Sequence, residues 1–204
     1  MKTYFLNHCI STVKGNFPEY SEEQLLEIRY GIESIYLSIS KVVVILFITW
    51  IFGFFQEAVI LLFLFNLLRI PGFGLHASKS WMCWISSSIT FIGVPLLCQW
   101  IEIPRSLMIP LSLFCILNFW FFAPADTKKR PLVNRKKRMM YKLITVTVSI
   151  IYTYFILTTS NVFLRNALFC AMLIELVLIH PVTYRLFKLP YNNYKSYVFS
   201  NKLG

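Results

Sequence analysis

The feature that most limits this chain is a series of apolar runs, each close to the length of a bilayer crossing and separated from the next by a short polar break. They fall at about residues 35–55, 81–100, 107–122, 143–159 and 164–179. A helix needs ~20 residues to cross a hydrocarbon core of ~30 Å. Only structures that close their hydrogen bonds internally survive there, so the expected fold is an all-α polytopic membrane protein. With 57% hydrophobic and 14% charged residues, a water-soluble domain is excluded. The 19 Phe, 11 Tyr and 5 Trp exclude disorder as well. At 204 residues the chain reads as a single integral membrane domain, 1–204, of about six transmembrane helices.

Two stretches are less regular. Residues 58–68 form an apolar run of only 11 residues, ~16 Å of helix, so this second element is short or re-entrant unless it continues through Arg69. Residues 1–34 form an N-terminal amphipathic segment. Its first 18 residues show no clear period and lack the apolar core and small-residue cleavage site of a removable signal, so the first span acts as its own. Ser21-Glu22-Glu23-Gln24 is then a capping box, followed by Leu25, Ile28, Ile32, Ile35 and Ile39 at helical spacing.

The net charge of +11 is a statement about topology. Six crossings with the N-terminus in the cytoplasm put eighteen of the 20 Lys and Arg inside, eight of them in a basic cytoplasmic loop at 123–142, and leave Arg105 and Arg165 outside. Both termini are then cytoplasmic. If the short second element does not cross, the N-terminus moves outside.

Chemistry concentrates in residues 69–83, the expected catalytic loop and helix start, where His76 and Cys83 share one interhelical segment. A cysteine protease needs a thiolate and an imidazole that carries its proton to the leaving amine. On one unbroken helix seven residues separate the two groups by ~10 Å, so such a site needs a break in the helix. Pro71, Gly72 and Gly74 offer one before His76, and Ser78 or Ser80 can cap the next helix. With Ser80 as cap, Cys83 lies in the first turn, where the helix dipole and Lys79 favour a thiolate. The same residues also read as a buried thiol beside an interfacial imidazole, and spacing alone does not separate the two.

Arg69, Gly74, His76 and Cys83 between two early spans resemble the accessory gene regulator B family of membrane cysteine endopeptidases. Glu27-Ile28-Arg29-Tyr30-Gly31 before the first span, and Phe122-Ala123-Pro124-Ala125-Asp126-Thr127-Lys128-Lys129-Arg130-Pro131 after the fourth, also look like that family's segments. The family often has two adjacent glycines before its histidine, whereas here Phe73 precedes Gly74 and the other glycine is Gly72. The resemblance implies that His76 is the base and Cys83 the nucleophile, with Arg69, Gly74, Lys79 and Ser80 as weaker supporting or substrate-binding candidates. It further implies cleavage of a short amphipathic propeptide on the cytoplasmic side through a Cys83 thioester, cyclisation to a quorum-sensing signal, and a homodimer. No cofactor and no metal is expected.

Other residues read more simply. Glu175 lies inside the last span with His180 one turn on, and a structural hydrogen bond is the favoured role. Cys98, Cys115 and Cys170 lie in apolar runs as inert packing residues, and the five cysteines show no C-x-x-C. His8 and Cys9 lack further ligands for zinc. The tail around Tyr191, Tyr194 and Tyr197 reads as a membrane interface and not as a nucleic-acid surface. A peptide exporter or a non-catalytic membrane scaffold is the alternative function, although the chain has no nucleotide-binding motif and no visible repeat.

Overall fold

The computed structural model describes residues 2–75, 80–127 and 132–195. The structure is about 81% helical, with no strand among the described residues, which bears out the all-α expectation. It divides into two compact units, Met1–Ile51 and Phe52–Gly204.

The first unit is a pair of helices, α1 (Lys2–Asn16) and α2 (Glu22–Ile51). α1 lies where the sequence shows no clear period. Ser11 and Thr12 hydroxyls bond back to the His8 carbonyl, so its own propensity is weak. It packs on α2, with Leu6 and Leu25 buried and Phe5 against Tyr36 at 5.3 Å. The capping box forms as expected: Gln24 N–H donates to Ser21 Oγ at 3.3 Å and Ser21 N–H to Gln24 Oε1 at 2.9 Å. The amphipathic segment and the first span are one helix of 30 residues, ~45 Å long. It stops at Ile51, four residues earlier than expected, ahead of a turn in which Gly53 takes φ +79°.

The second unit begins with α3 (Phe55–Gly72). The short apolar run is the middle of this helix: it extends through Arg69 and Pro71 to 18 residues, ~27 Å, enough to cross. Then come α4 (Ser80–Ser88), a π-helical turn over Ile89–Gly93, and α5 (Val94–Trp100). The π turn lies directly before Pro95, where the missing N–H and the ring's clash with the preceding turn would otherwise break the span. α6 (Arg105–Phe122), α7 (Arg135–Thr158), α8 (Val162–Ile179) and the short α9 (Pro181–Leu186) follow.

Within this unit α8 is central: it packs on α3, α5, α6 and α7. Small side chains allow that closeness, with Ala58, Ala167 and Ala171 all fully buried. Tyr152 of α7 donates to the Leu64 carbonyl of α3 at 2.7 Å, a cross-helix tie in an apolar interior. The basic stretch is not a loop to its end. Asn134 Oδ1 accepts from Lys136 and Lys137 N–H groups at 2.9 and 3.2 Å, so α7 starts at Arg135 and carries Arg135 to Lys142 as helix. Among the described residues six helices, α2, α3, the α4–α5 run, α6, α7 and α8, are long and apolar enough to cross. The protein is multi-pass.

Candidate active site

The chain leaves α3 through a sharply turned segment. Pro71 and Gly72 still belong to the last helical turn and are buried, so of the three residues read as the break only Gly74 lies beyond the helix. Phe73 takes φ +62° and Gly74 φ +91°. The left-handed value is natural for glycine and costs a β-carbon residue roughly 1–3 kcal/mol. Phe73 therefore occupies a glycine-like conformation, held by an edge-on contact with Tyr141 at 5.2 Å and by an N–H bond to the Arg69 carbonyl at 3.0 Å.

Three elements clamp this exit. Gly74 N–H donates to the Ala125 carbonyl at 2.8 Å, and Ala125 N–H returns to the Gly72 carbonyl at 3.0 Å. Leu75 N–H donates to the Leu178 carbonyl at 2.8 Å, in the last turn of α8. The Arg69 guanidinium donates to the carbonyls of Phe73, Gly74 and Leu75, the last at 2.6 Å. A β-carbon on Gly74 would meet the Leu178 carbonyl oxygen at 2.8 Å and collide with Arg69 Nη1. Glycine is needed there for conformation and for space.

Behind the arginine lies Glu175, fully buried, its Oε2 3.7 Å from Arg69 Nη1. Neither carboxylate oxygen has a hydrogen-bond partner among the described residues. Gly72 lacks a side chain where the Glu175 carboxylate comes against α3. His180, the partner expected for Glu175, instead caps α9 by accepting from Val182 N–H at 3.3 Å and packs edge-on against Phe122. The arginine wins because it reaches the interior from α3, whereas His180 has already left α8.

Residues 123–127 are fixed in turn. Asp126 accepts N–H bonds from Asn193 at 2.9 Å, Tyr194 at 2.8 Å and Leu132 at 3.3 Å. Tyr184 donates to the Ala125 carbonyl at 3.2 Å and Tyr191 to the Phe122 carbonyl at 3.3 Å. Burial pushes the Tyr184 hydroxyl above the ordinary phenol range against the pull of Arg69. Burial and the neighbouring Asp126 push Tyr191 up to about 12, so both remain donors at neutral pH.

Cys83 is the fourth residue of α4, half-buried, and its carbonyl accepts from Ser86 Oγ at 3.2 Å. Ser80 opens α4. His76 and Lys79 lie outside the described residues. The structure thus brings Arg69 and Gly74 together shortly before His76 in sequence, and starts the helix that carries Cys83 at Ser80. Cys98 and Cys115 are buried, and Cys98 Sγ lies 3.8 Å from Cys170 Sγ. Among the described residues no three His, Cys, Asp or Glu side chains converge as metal ligands do. Tyr184 and Asn193 escape sequence reasoning, because nothing in their spacing marks them as partners of a segment over fifty residues away, and Asp126 enters it only as part of the family-like segment.

The family described as Accessory gene regulator B matches residues 6–180. A putative AgrB-like protein of Listeria monocytogenes is 31% identical over 178 residues, and one of Listeria innocua 30% over 176, each covering 86% of both chains. The accessory gene regulator protein B of Staphylococcus aureus is 30% identical over 163 residues, 79% of this chain and 85% of that one. No solved structure matches. With the segments around Gly74 and Ala125 hydrogen-bonded to each other and the family match spanning most of its length, this chain belongs to the accessory gene regulator B family and has that family's role in quorum-sensing peptide processing.

Proposed function

We propose that the protein is a membrane cysteine endopeptidase that cleaves an amphipathic autoinducer propeptide and cyclises the product. Cys83 is the nucleophile and His76 the base. His76 takes the thiol proton, Cys83 sulfur attacks the scissile carbonyl, and the proton passes to the departing amine, leaving a thioester on Cys83. A nucleophile within the same peptide then attacks the thioester, closes the ring and regenerates the thiol. Its effective concentration can reach ~10⁵ M, which favours closure over hydrolysis at a membrane boundary.

The observation that carries this reading is the clamp on residues 73–75. It fixes the backbone one residue before His76, and the helix bearing Cys83 begins four residues after that histidine. A dyad split across a helix break needs both ends held, and here both have defined starting points. The basic asymmetry of the sequence supports a cytoplasmic location for the site and both termini.

The test uses purified protein in lipid with a panel of candidate propeptides, read by mass spectrometry. Cleavage and cyclisation are expected for the native chain, and both are lost in Cys83→Ala and His76→Ala. A substrate without its internal nucleophile should accumulate a hydroxylamine-sensitive adduct on Cys83. Undiminished cleavage by Cys83→Ala would falsify the mechanism, and a linear acid as main product would limit it to hydrolysis. Impermeant thiol labels applied to each face of sealed vesicles test the side on which Cys83 lies.

A further inference from the structure

A second concentration of polar groups lies where α6 ends and α7 begins. A cavity of about 410 Å³ opens there, and Arg135, Arg138 and Lys142 converge on it with no carboxylate among the described residues that line it. The three cations occupy positions i, i+3 and i+7 of α7, one helical face, with Met139 between them. We propose that this cavity binds the phosphate of an anionic membrane lipid, its acyl chains running down the outer face of α6.

Positive-inside topology accounts for basic residues at a span boundary but not for their being fixed around one space. Arg138 is fixed. Its guanidinium lies over the Tyr194 ring at 3.7 Å and donates to the Leu132 carbonyl at 3.3 Å, while Tyr194 is itself held by Asp126. One donation of five leaves the planar fork with N–H groups for a phosphate oxygen pair. Lys142 is drawn toward the same end of α6, 5.8 Å from the Trp120 ring.

The apolar wall selects a lipid over a soluble anion. Phe121 is 70% exposed and Met139 50%, and both line the cavity while facing outward from the helices. Phe121 lies in the last turn of a helix long and apolar enough to span, so the mouth lies at headgroup depth with hydrocarbon-facing side chains beside it. A free phosphate would use the cations and leave that wall idle.

Native mass spectrometry of the detergent-solubilised full chain, with phosphatidylglycerol or phosphatidylcholine added, tests the assignment. Phosphatidylglycerol should be retained roughly tenfold more tightly than phosphatidylcholine, and Arg138→Gln should remove most of that preference. Arg135→Gln and Lys142→Gln should each weaken retention about fivefold, as expected for one charge near the surface. Arg138→Lys, which keeps the charge without the fork, should fall between native and Arg138→Gln. It also keeps the test decisive if the glutamine variant does not fold. Arg185→Gln, exposed on α9, should leave retention unchanged. Equal retention of the two lipids, or no effect of either Arg138 variant, overturns the proposal. Displacement of the lipid by millimolar inorganic phosphate reassigns the cavity to free anions. Displacement by a synthetic acidic peptide reassigns it to a peptide, and either result overturns the lipid site. Lipid retention is read without substrate, so its failure is separate from any failure of the peptidase reading.

Discussion

The two ends of α8 use similar parts for different ends. At its C-terminal end Arg69 and Glu175 hold the segment leaving α3, and at its N-terminal end Arg165 and Asn166 hold the segment joining α5 to α6. The Arg165 guanidinium meets Glu102 at 3.1 Å, and the Asn166 amide donates to the carbonyls of Cys98 at 3.0 Å and Ile101 at 2.5 Å. The difference is burial of the acid. Glu175 has no exposed surface and Arg69 only 14%, whereas Glu102 is 71% exposed. A charge pair removed from water is costly to disturb, and one in contact with water is not. The expensive pair stands at the end where the clamped segment leads to His76 and Cys83. The inexpensive one serves a turn.

The largest effect expected from this contrast is chemical. Cys83→Ala should abolish cleavage with unfolding temperature unchanged, while Cys98→Ala and Cys170→Ala, toward the other end of α8, should leave cleavage largely intact. Mass spectrometry of the peptide products together with thermal unfolding in micelles separates these outcomes. Loss of activity in the second set would break the division of labour between the ends.

Next is Gly74→Ala. Alanine at φ +91° is strained, and its β-carbon enters the space between Arg69 and the Leu178 carbonyl. A displacement of ~1 Å in the segment before His76 is expected to slow cleavage about a hundredfold. The rate per folded molecule is the quantity to measure, since the strain lowers stability as well. Phe73 already tolerates a positive φ, so an alanine at Gly74 that keeps full activity would mean that the clamp does not position the dyad.

Breaking the buried pair comes third, and its two members should differ. Arg69→Met leaves Glu175 buried without its partner and three carbonyls without their donor, a loss of about 3–5 kcal/mol. Glu175→Gln replaces the carboxyl by an amide but leaves Arg69 bonded to the same carbonyls, and should cost about 1–3 kcal/mol. Denaturant unfolding in mixed micelles gives both values. Equal costs would show that the carbonyl bonds contribute little.

The sequence makes the apolar skeleton of this molecule legible, because span length and hydrophobicity are local properties. The five longer runs all fall within helices, the first ending four residues early at Ile51, and the capping box at Ser21 forms as expected. The length of α3 is left open in the sequence because Arg69 and Pro71 look like the end of an apolar run, whereas the arginine turns back onto its own chain and the helix continues to Gly72. α1 is missed because its helicity depends on packing against α2, and no pattern within 2–16 declares a partner. At the site, Arg69 and Gly74 are found through family likeness, and geometry then supplies their reason. Tyr184 and Asn193 are invisible in sequence, and the role of Asp126 within its family-like segment is too, because all three act by bonding to backbone, which carries no residue code. Glu175 is recognised as unusual from its depth, yet its partner is misassigned to the neighbour in sequence instead of the neighbour in space.

The smallest effect should come from Glu102→Gln. Its carboxylate faces Arg165 at 3.1 Å but is mostly exposed, so solvent already screens the interaction and the expected cost is about 0–1 kcal/mol. Arg165 is itself 7% exposed, and its Nε has no partner among the described residues. Removing the acid therefore leaves a cation that must find water at the helix end, which the first turn of α8 permits. Asn166 continues to hold the Cys98 and Ile101 carbonyls, so the turn between α5 and α6 should keep its shape. Peptide cleavage per folded molecule should match the native chain. A loss of more than about 2 kcal/mol would show that Glu102 is effectively desolvated when the protein is in lipid, placing that end of α8 deeper in the membrane than its exposure implies.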